Sequence, residues 1–84
     1  MTQQEKINVE IYDQRYTLRV TTEELERVRS IAGHVDAMMH QIGDSQPRLD
    51  YRDVAVLAAM NITEELYKLQ QEHQQLLDFL EEAR

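Results

Sequence analysis

Three patterns in the sequence predict an α+β fold: an N-terminal β-hairpin packed on an amphipathic helix, followed by a long C-terminal helix that forms an intermolecular coiled coil. Apolar and polar residues alternate from Ile7 to Val20, apolar residues recur at helical period from Leu25 to Ile42, and a heptad seam runs from Ile62 to Ala83. A seam of that kind has to be covered by another helix.

The hairpin is read from two apolar runs, Ile7, Val9, Ile11 and Tyr16, Leu18, Val20. A turn centred on Asp13-Gln14 pairs Ile11 with Tyr16, Val9 with Leu18 and Ile7 with Val20, so all six share one face. Asn8, Glu10, Tyr12, Arg15, Thr17 and Arg19 take the other. An isolated hairpin is marginal in water, so that apolar face needs a helix beneath it. Thr21 or Thr22 offers an N-cap, and Leu25, Val28, Ile31, Ala32, Val35, Met38, Met39 and Ile42 line the first helix, expected over 22–42 with Gly43 as its C-cap. Gly33 in mid-helix costs about 1 kcal/mol relative to Ala, which suggests close approach of a neighbouring backbone.

Asp50 caps the second helix, which meets no Gly or Pro from Tyr51 onward and so runs to the C-terminus, roughly 50 Å. Its first half carries the seam, extended back through Ala59 and Ala55, and a second stripe of Val56, Met60, Thr63 and Tyr67. That half is expected to be buried on two sides. The first helix, roughly 32 Å, and the hairpin, roughly 20 Å, are too short to cover the whole of it. The chain is therefore divided into a head of residues 1–66 and a projecting coiled-coil end of residues 67–84, within one domain.

Composition narrows the function classes. At 84 residues with no cysteine, the chain can use neither disulfides nor thiolate zinc sites to support a small core, which leaves oligomerisation. A net charge of −7 argues against phosphate-backbone contact, so nucleic acid is not an expected partner. No apolar run reaches the roughly 20 residues of a membrane span, and the polar start lacks a signal-peptide core; a cytoplasmic location is expected, with no membrane partner. His34, Asp36 and His40 do not have the spacing of helical metal ligands, since the histidines lie six apart, and they read as solvated surface residues. Met38, Met39 and Met60 read as core. No nucleophilic triad, phosphate loop or paired-carboxylate cleft stands out, so neither an enzyme nor a cofactor is expected.

Two segments carry a resemblance. The hairpin from Val9 to Val20 (VEIYDQRYTLRV) and the helix from Ala55 to Leu66 (AVLAAMNITEEL) are similar to the bacterial cell-division ZapA family, and the order of elements matches over nearly the whole chain. Asp13 departs from the pattern, as many members carry a turn glycine there. The length resembles the short form of the family, with a truncated coil. The resemblance implies a small head on a long helix, homodimers that pair into homotetramers, and binding of the tubulin-like protein FtsZ at the mid-cell division site. For Asn61 it implies a structural hydrogen bond to a neighbouring backbone, where the residues alone read as well as an ordinary half-exposed polar side chain. The family's use of its head makes the exposed charges Arg15, Arg19, Arg48, Asp50, Arg52 and Asp53 the candidates for partner contact. Isolated arginines can grip carboxylates through two parallel hydrogen bonds. The alternative is a coiled-coil oligomerisation module with an unrelated protein partner.

Oligomerisation falls to Ile62, Leu66, Leu69, His73, Leu76, Leu77, Phe79 and Leu80. Leu77 and Phe79 broaden the apolar arc at the tip beyond a two-stranded seam, which favours a four-helix overlap of two dimers. His73 interrupts the seam, and its ordinary role is a polar core residue that weakens or registers the coil. If two chains run parallel, the His73 side chains meet, and protonation makes them repel. The expected outcome is that oligomers weaken below about pH 6. A sedimentation mass that is the same at about pH 8 and about pH 5.5 rules out such a clasp.

Overall fold

The computed structural model describes residues 3–83. Strands β1 (Gln4–Ile11) and β2 (Gln14–Thr21) form an antiparallel hairpin, a 3₁₀ turn (Thr22–Glu24) leads into α1 (Leu25–Ser45), and α2 (Tyr51–Glu82) completes the chain. The α+β outline is the one expected from the sequence.

The hairpin differs in register. Its turn is Tyr12-Asp13, and the pairs are Ile11 with Gln14, Val9 with Tyr16 and Ile7 with Leu18, so β2 slides by two residues from the expected pairing. Side chains alternate with period two, so a two-residue slide keeps all six apolar residues on one face, and the apolar pattern alone cannot detect it. Turn geometry decides instead. Tyr12 and Asp13 both adopt positive φ, 48° and 66°, as a two-residue turn matching the right-handed strand twist requires. Asp tolerates that conformation better than most residues, which is how Asp13 serves where a glycine is usual. Tyr12, expected on the outer face, is instead half-buried in the turn.

Helix α1 starts and stops for local reasons. Thr21 Oγ1 accepts the Glu24 N–H at 3.3 Å, and Thr22 donates its backbone N–H to the Gln3 carbonyl at 2.9 Å, tying the helix entry to the start of the hairpin. The helix passes through Gly43, which keeps helical φ, and ends at Ser45 just before Gln46-Pro47. Proline disfavours helical backbone in the residue before it, and Gln46 is accordingly non-helical. Gly43 is therefore not the C-cap. A Cβ there would overlap the Tyr12 hydroxyl and lie 2.9 Å from its Cζ, so the missing side chain makes room for a ring. Gly33, by contrast, has none of the described residues outside its own helix turn within 4 Å of where a Cβ would stand, so no neighbouring backbone approaches it there.

Two apolar clusters make the core. Ile7, Val9 and Val20 of the hairpin pack on Ala32, with Leu25 and Val28 at the margin. Met39 and Ile42 of α1 pack on Val54 and Ala58 of α2, and Ile11 touches both clusters. Helix α1 lies mainly beneath β1, which leaves Leu18 and Tyr16 of β2 about two-fifths exposed. Asp50 Oδ1 accepts the Asp53 N–H at 2.9 Å and caps α2 as expected.

In the single chain α2 is buried on one side, where Val54 and Ala58 meet α1. Val56, Met60 and Tyr67, expected to be covered, are exposed, and Met60 is not core. Every residue from Thr63 to Ala83 is exposed. The chain measures 51 × 46 × 14 Å with a radius of gyration of 17.3 Å, against about 12 Å for a compact domain of this length. Its shape is that of a part, not of a closed globule.

The glycines separate two effects. Gly43→Ala forces Tyr12 to move, at about 1–3 kcal/mol of overpacking, while Gly33→Ala gains about 1 kcal/mol of helix propensity. Thermal unfolding followed by circular dichroism should show the first variant less stable than the parent and the second more stable; equal gains in both would refute the packing of Tyr12 on Gly43.

Candidate functional site

The best-defined side-chain cluster lies at the hairpin tip. The Tyr12 N–H donates to Asp36 Oδ1 at 2.7 Å, so a carboxylate on α1 anchors the turn. His40 Nε2 lies one helical turn on, 3.3 Å from Asp36 Oδ1 and 4.0 Å from Asp13 Oδ1. The Tyr12 ring meets His40 edge-on at 5.0 Å and Tyr51 at 5.7 Å. The Tyr16 and Tyr51 hydroxyls share a hydrogen bond of 2.5 Å, which links β2 to the first turn of α2. Asp36 and His40 are thus parts of a tertiary anchor, not free surface residues. His34 is engaged as well, 3.3 Å from Glu65 across the two helices. The two histidines therefore serve different carboxylates, and among the described residues no His, Asp and Glu gather as a metal site.

Of the charged residues expected to meet a partner, four share one segment and two lie on the hairpin. Arg48, Asp50, Arg52 and Asp53 occupy the α1–α2 connection and the first turn of α2. The hydroxyl pair joins that segment to Tyr16, while Arg15, one residue earlier in β2, lies on the other face of the hairpin opposite Glu10. Arg19 stands opposite Lys6 toward the open end of the hairpin, about 13 Å along β2 from Arg15. Asp50 spends its carboxylate as a helix cap. The tyrosines had no periodic signature: Tyr12 and Tyr51 sit at a turn and a helix start, and only the tertiary fold brings them together. Asn61, expected to bond a backbone group, instead directs Nδ2 to Met38 Sδ at 3.9 Å.

The second surface is the ridge of α2. Ile62 is half-buried, while Leu66, Leu69, His73, Leu76, Leu77, Phe79 and Leu80 are exposed. Leu69 and Phe79 are about two-thirds bare. On its flank Gln74 Nε2 donates to Asp78 Oδ1 at 2.9 Å, and neither side chain covers the ridge. No helix is long and apolar enough to cross a membrane among the described residues.

Comparisons with known proteins agree along the chain. Residues 7–84 match a family model described as cell division protein ZapA. A cell division protein ZapA of Geobacillus sp. (strain WCH70) is 38% identical over 82 residues, 98% of this chain and 93% of that one. One from Bacillus thuringiensis (strain Al Hakam) is 39% identical over 71 residues, 84% of this chain and 79% of that one. Among solved structures, a ZapA mutant dimer from Geobacillus stearothermophilus matches with a TM-score of 0.69 at 34% identity, covering 96% of this chain and 93% of that one.

The tyrosine pair has a titration signature. Its hydrogen bond with Tyr16, then burial, then the Tyr16 charge raise Tyr51 above its ordinary 10.0. The neutral form is the favoured one, so the stability it contributes is complete below the ordinary tyrosine range and is lost as pH rises through the raised value. In an ultraviolet titration, Tyr16→Phe is expected to move the Tyr51 ionisation back toward lower pH. An unshifted curve would mean the hydroxyls do not meet.

Proposed function

The chain belongs to the ZapA family of cell division proteins, and from that premise we propose that it is a non-enzymatic cross-linker: its head binds FtsZ, and self-association joins filaments at the mid-cell ring in the cytoplasm. One observation carries the reading. Leu66, Leu69, Leu76, Phe79 and Leu80 are each more than half exposed in the single chain. Soluble monomers rarely keep a contiguous apolar ridge in water, and a second helix laid along it removes the cost. Burying Leu69, Leu76 and Leu80 contributes about 1.5–3 kcal/mol each once that helix is present. The dimeric state of the Geobacillus stearothermophilus relative supports the same assignment.

In this reading residues 1–66 are the head and residues 67–84 the projecting arm. Ile62, Leu66, Leu69, His73, Leu76 and Leu80 make the seam of a homodimer, and Leu77 and Phe79 let two dimers overlap as a homotetramer. Arg15, Arg19, Arg48, Asp50, Arg52 and Asp53 supply the head's candidate contacts. Several weak head contacts on one stiff assembly hold filaments far more tightly than one head does, provided the spacing fits. Neither nucleic acid nor membrane has a part in it.

Leu69→Asp places a charge in the seam. The expected result is loss of FtsZ bundling and a fall of roughly 10²- to 10⁴-fold in apparent filament affinity, with weak single-head binding retained. Phe79→Glu is expected to remove tetramers and keep dimers, read by sedimentation. Filament pelleting unchanged by Leu69→Asp refutes the multivalent mechanism, and tetramers that survive Phe79→Glu refute the four-helix overlap.

A further inference from the structure

The hairpin turn is held in a conformation that its own residues disfavour. Tyr12 and Asp13 both lie in the left-handed region, at φ 48° and 66°, where a bulky residue such as tyrosine is uncommon. Contacts from outside the turn have to hold it. The Tyr12 ring occupies the space beside Gly43, and Asp36 Oδ1 accepts the Tyr12 N–H at 2.7 Å. The same Asp36 oxygen lies 3.3 Å from His40 Nε2, and that nitrogen lies 4.0 Å from Asp13 Oδ1. Asp36 and His40 both belong to α1, so their pair ties the helix to itself, and Asp13 alone carries the link across to the hairpin. Among the described residues no lysine or arginine pairs with either carboxylate. The one positive charge that both can share is the one His40 gains on protonation.

We propose that Asp13, His40 and Asp36 form a proton-operated latch, which clamps the hairpin turn onto α1 when His40 is charged and loosens it when His40 is neutral. A charged imidazole attracts both carboxylates and leaves Asp36 ionised to hold the Tyr12 N–H. A neutral one leaves two carboxylates around it with no countercharge, and they repel. Histidine is the side chain whose charge ordinarily changes between about pH 5 and pH 8. The stabilisation is therefore complete while His40 is protonated and both carboxylates are ionised, and it is lost as pH rises through the histidine's titration. The other groups around the ring do not oppose this. From the turn the Tyr12 ring meets His40 edge-on at 5.0 Å, and from α2 the Tyr51 ring reaches Tyr12, not the histidine. A tyrosine phenol is neutral in that range. Asp44, four residues on in α1, and Arg48, Asp50, Arg52 and Asp53 of the α1–α2 connection and first turn of α2 make no ion pair with any of the three. His34 serves Glu65, and His73 lies on the ridge, so neither belongs to the latch. Asp13 is 80% exposed, so water and salt screen the link and its effect is a few-fold change in turn opening.

The test is hydrogen exchange at the Tyr12 amide of the full chain, followed by NMR and corrected for the intrinsic rise of exchange with pH. It needs no partner, so its outcome is independent of the cross-linking reading. Protection in the parent is expected to be about twofold to fivefold greater at about pH 5.5 than at about pH 8, and the difference should shrink in about 1 M salt. His40→Gln should remove the pH dependence. Asp13→Asn should remove most of it and keep the turn, because asparagine tolerates the left-handed conformation as aspartate does. The controls His34→Gln and His73→Gln should leave it in place. Equal protection at the two pH values overturns the latch, as does a pH dependence that survives His40→Gln or Asp13→Asn undiminished. Loss of the dependence in His34→Gln or His73→Gln also overturns it, because the proton then acts between the helices or on the ridge.

Discussion

The Tyr12 N–H donates to Asp36 Oδ1 at 2.7 Å, and this one charge-assisted bond joins a strained turn to the helix beneath it. Around it the Tyr12 ring fills the space left by Gly43 and leans on His40 and Tyr51, while Ile11, one residue earlier, touches both apolar clusters. Ile11 and Tyr12 thus join the hairpin's packing on α1 to the packing of α1 on α2. A head with so little buried surface has few alternatives, because each cluster has only four buried residues and domains of this size are marginal.

Sequence reasoning reached the elements and missed the tip, for physical reasons that particular residues show. Alternation in Ile7–Val20 identifies a buried face but is blind to a slide of two residues, so it could not choose Tyr12-Asp13 over Asp13-Gln14 as the turn. Gly43 stood where a helix stop is usual, yet its absent side chain answers to a ring from thirty-one positions earlier. Asp50 was legible because a cap is a local interaction. Asp36, His40 and the three tyrosines were not, because each acts across the fold. The ridge from Leu66 to Leu80 was legible for the opposite reason: nothing in the chain intervenes to change what its heptads say.

The two surfaces differ in the physics they ask for. The ridge is apolar and satisfied by area, so a second copy that presents the same stripe suits it, and isologous contact is the commonest way for a protein to cover such a face. The tip is polar and aromatic, and its hydrogen bonds are directional. In the proposed cross-linker, self-association on the ridge and partner contact at the head operate together, since the ridge lies beyond the part of α2 that packs on α1. Weak contact at each head is no defect in that proposal, because the assembly multiplies it.

Helix α2 belongs to both surfaces without a break: Val54 and Ala58 lie in the core and Leu80 near the far end, with no glycine or proline between them. Such a rod is a ruler with discrete graduations. Adding one heptad lengthens it by about 10.5 Å and returns the ridge to nearly the same azimuth, whereas adding any other small number of residues swings the head around the axis. If the chain tethers filaments as proposed, their spacing changes over evolutionary time in whole heptads, and length and orientation are inherited as one quantity.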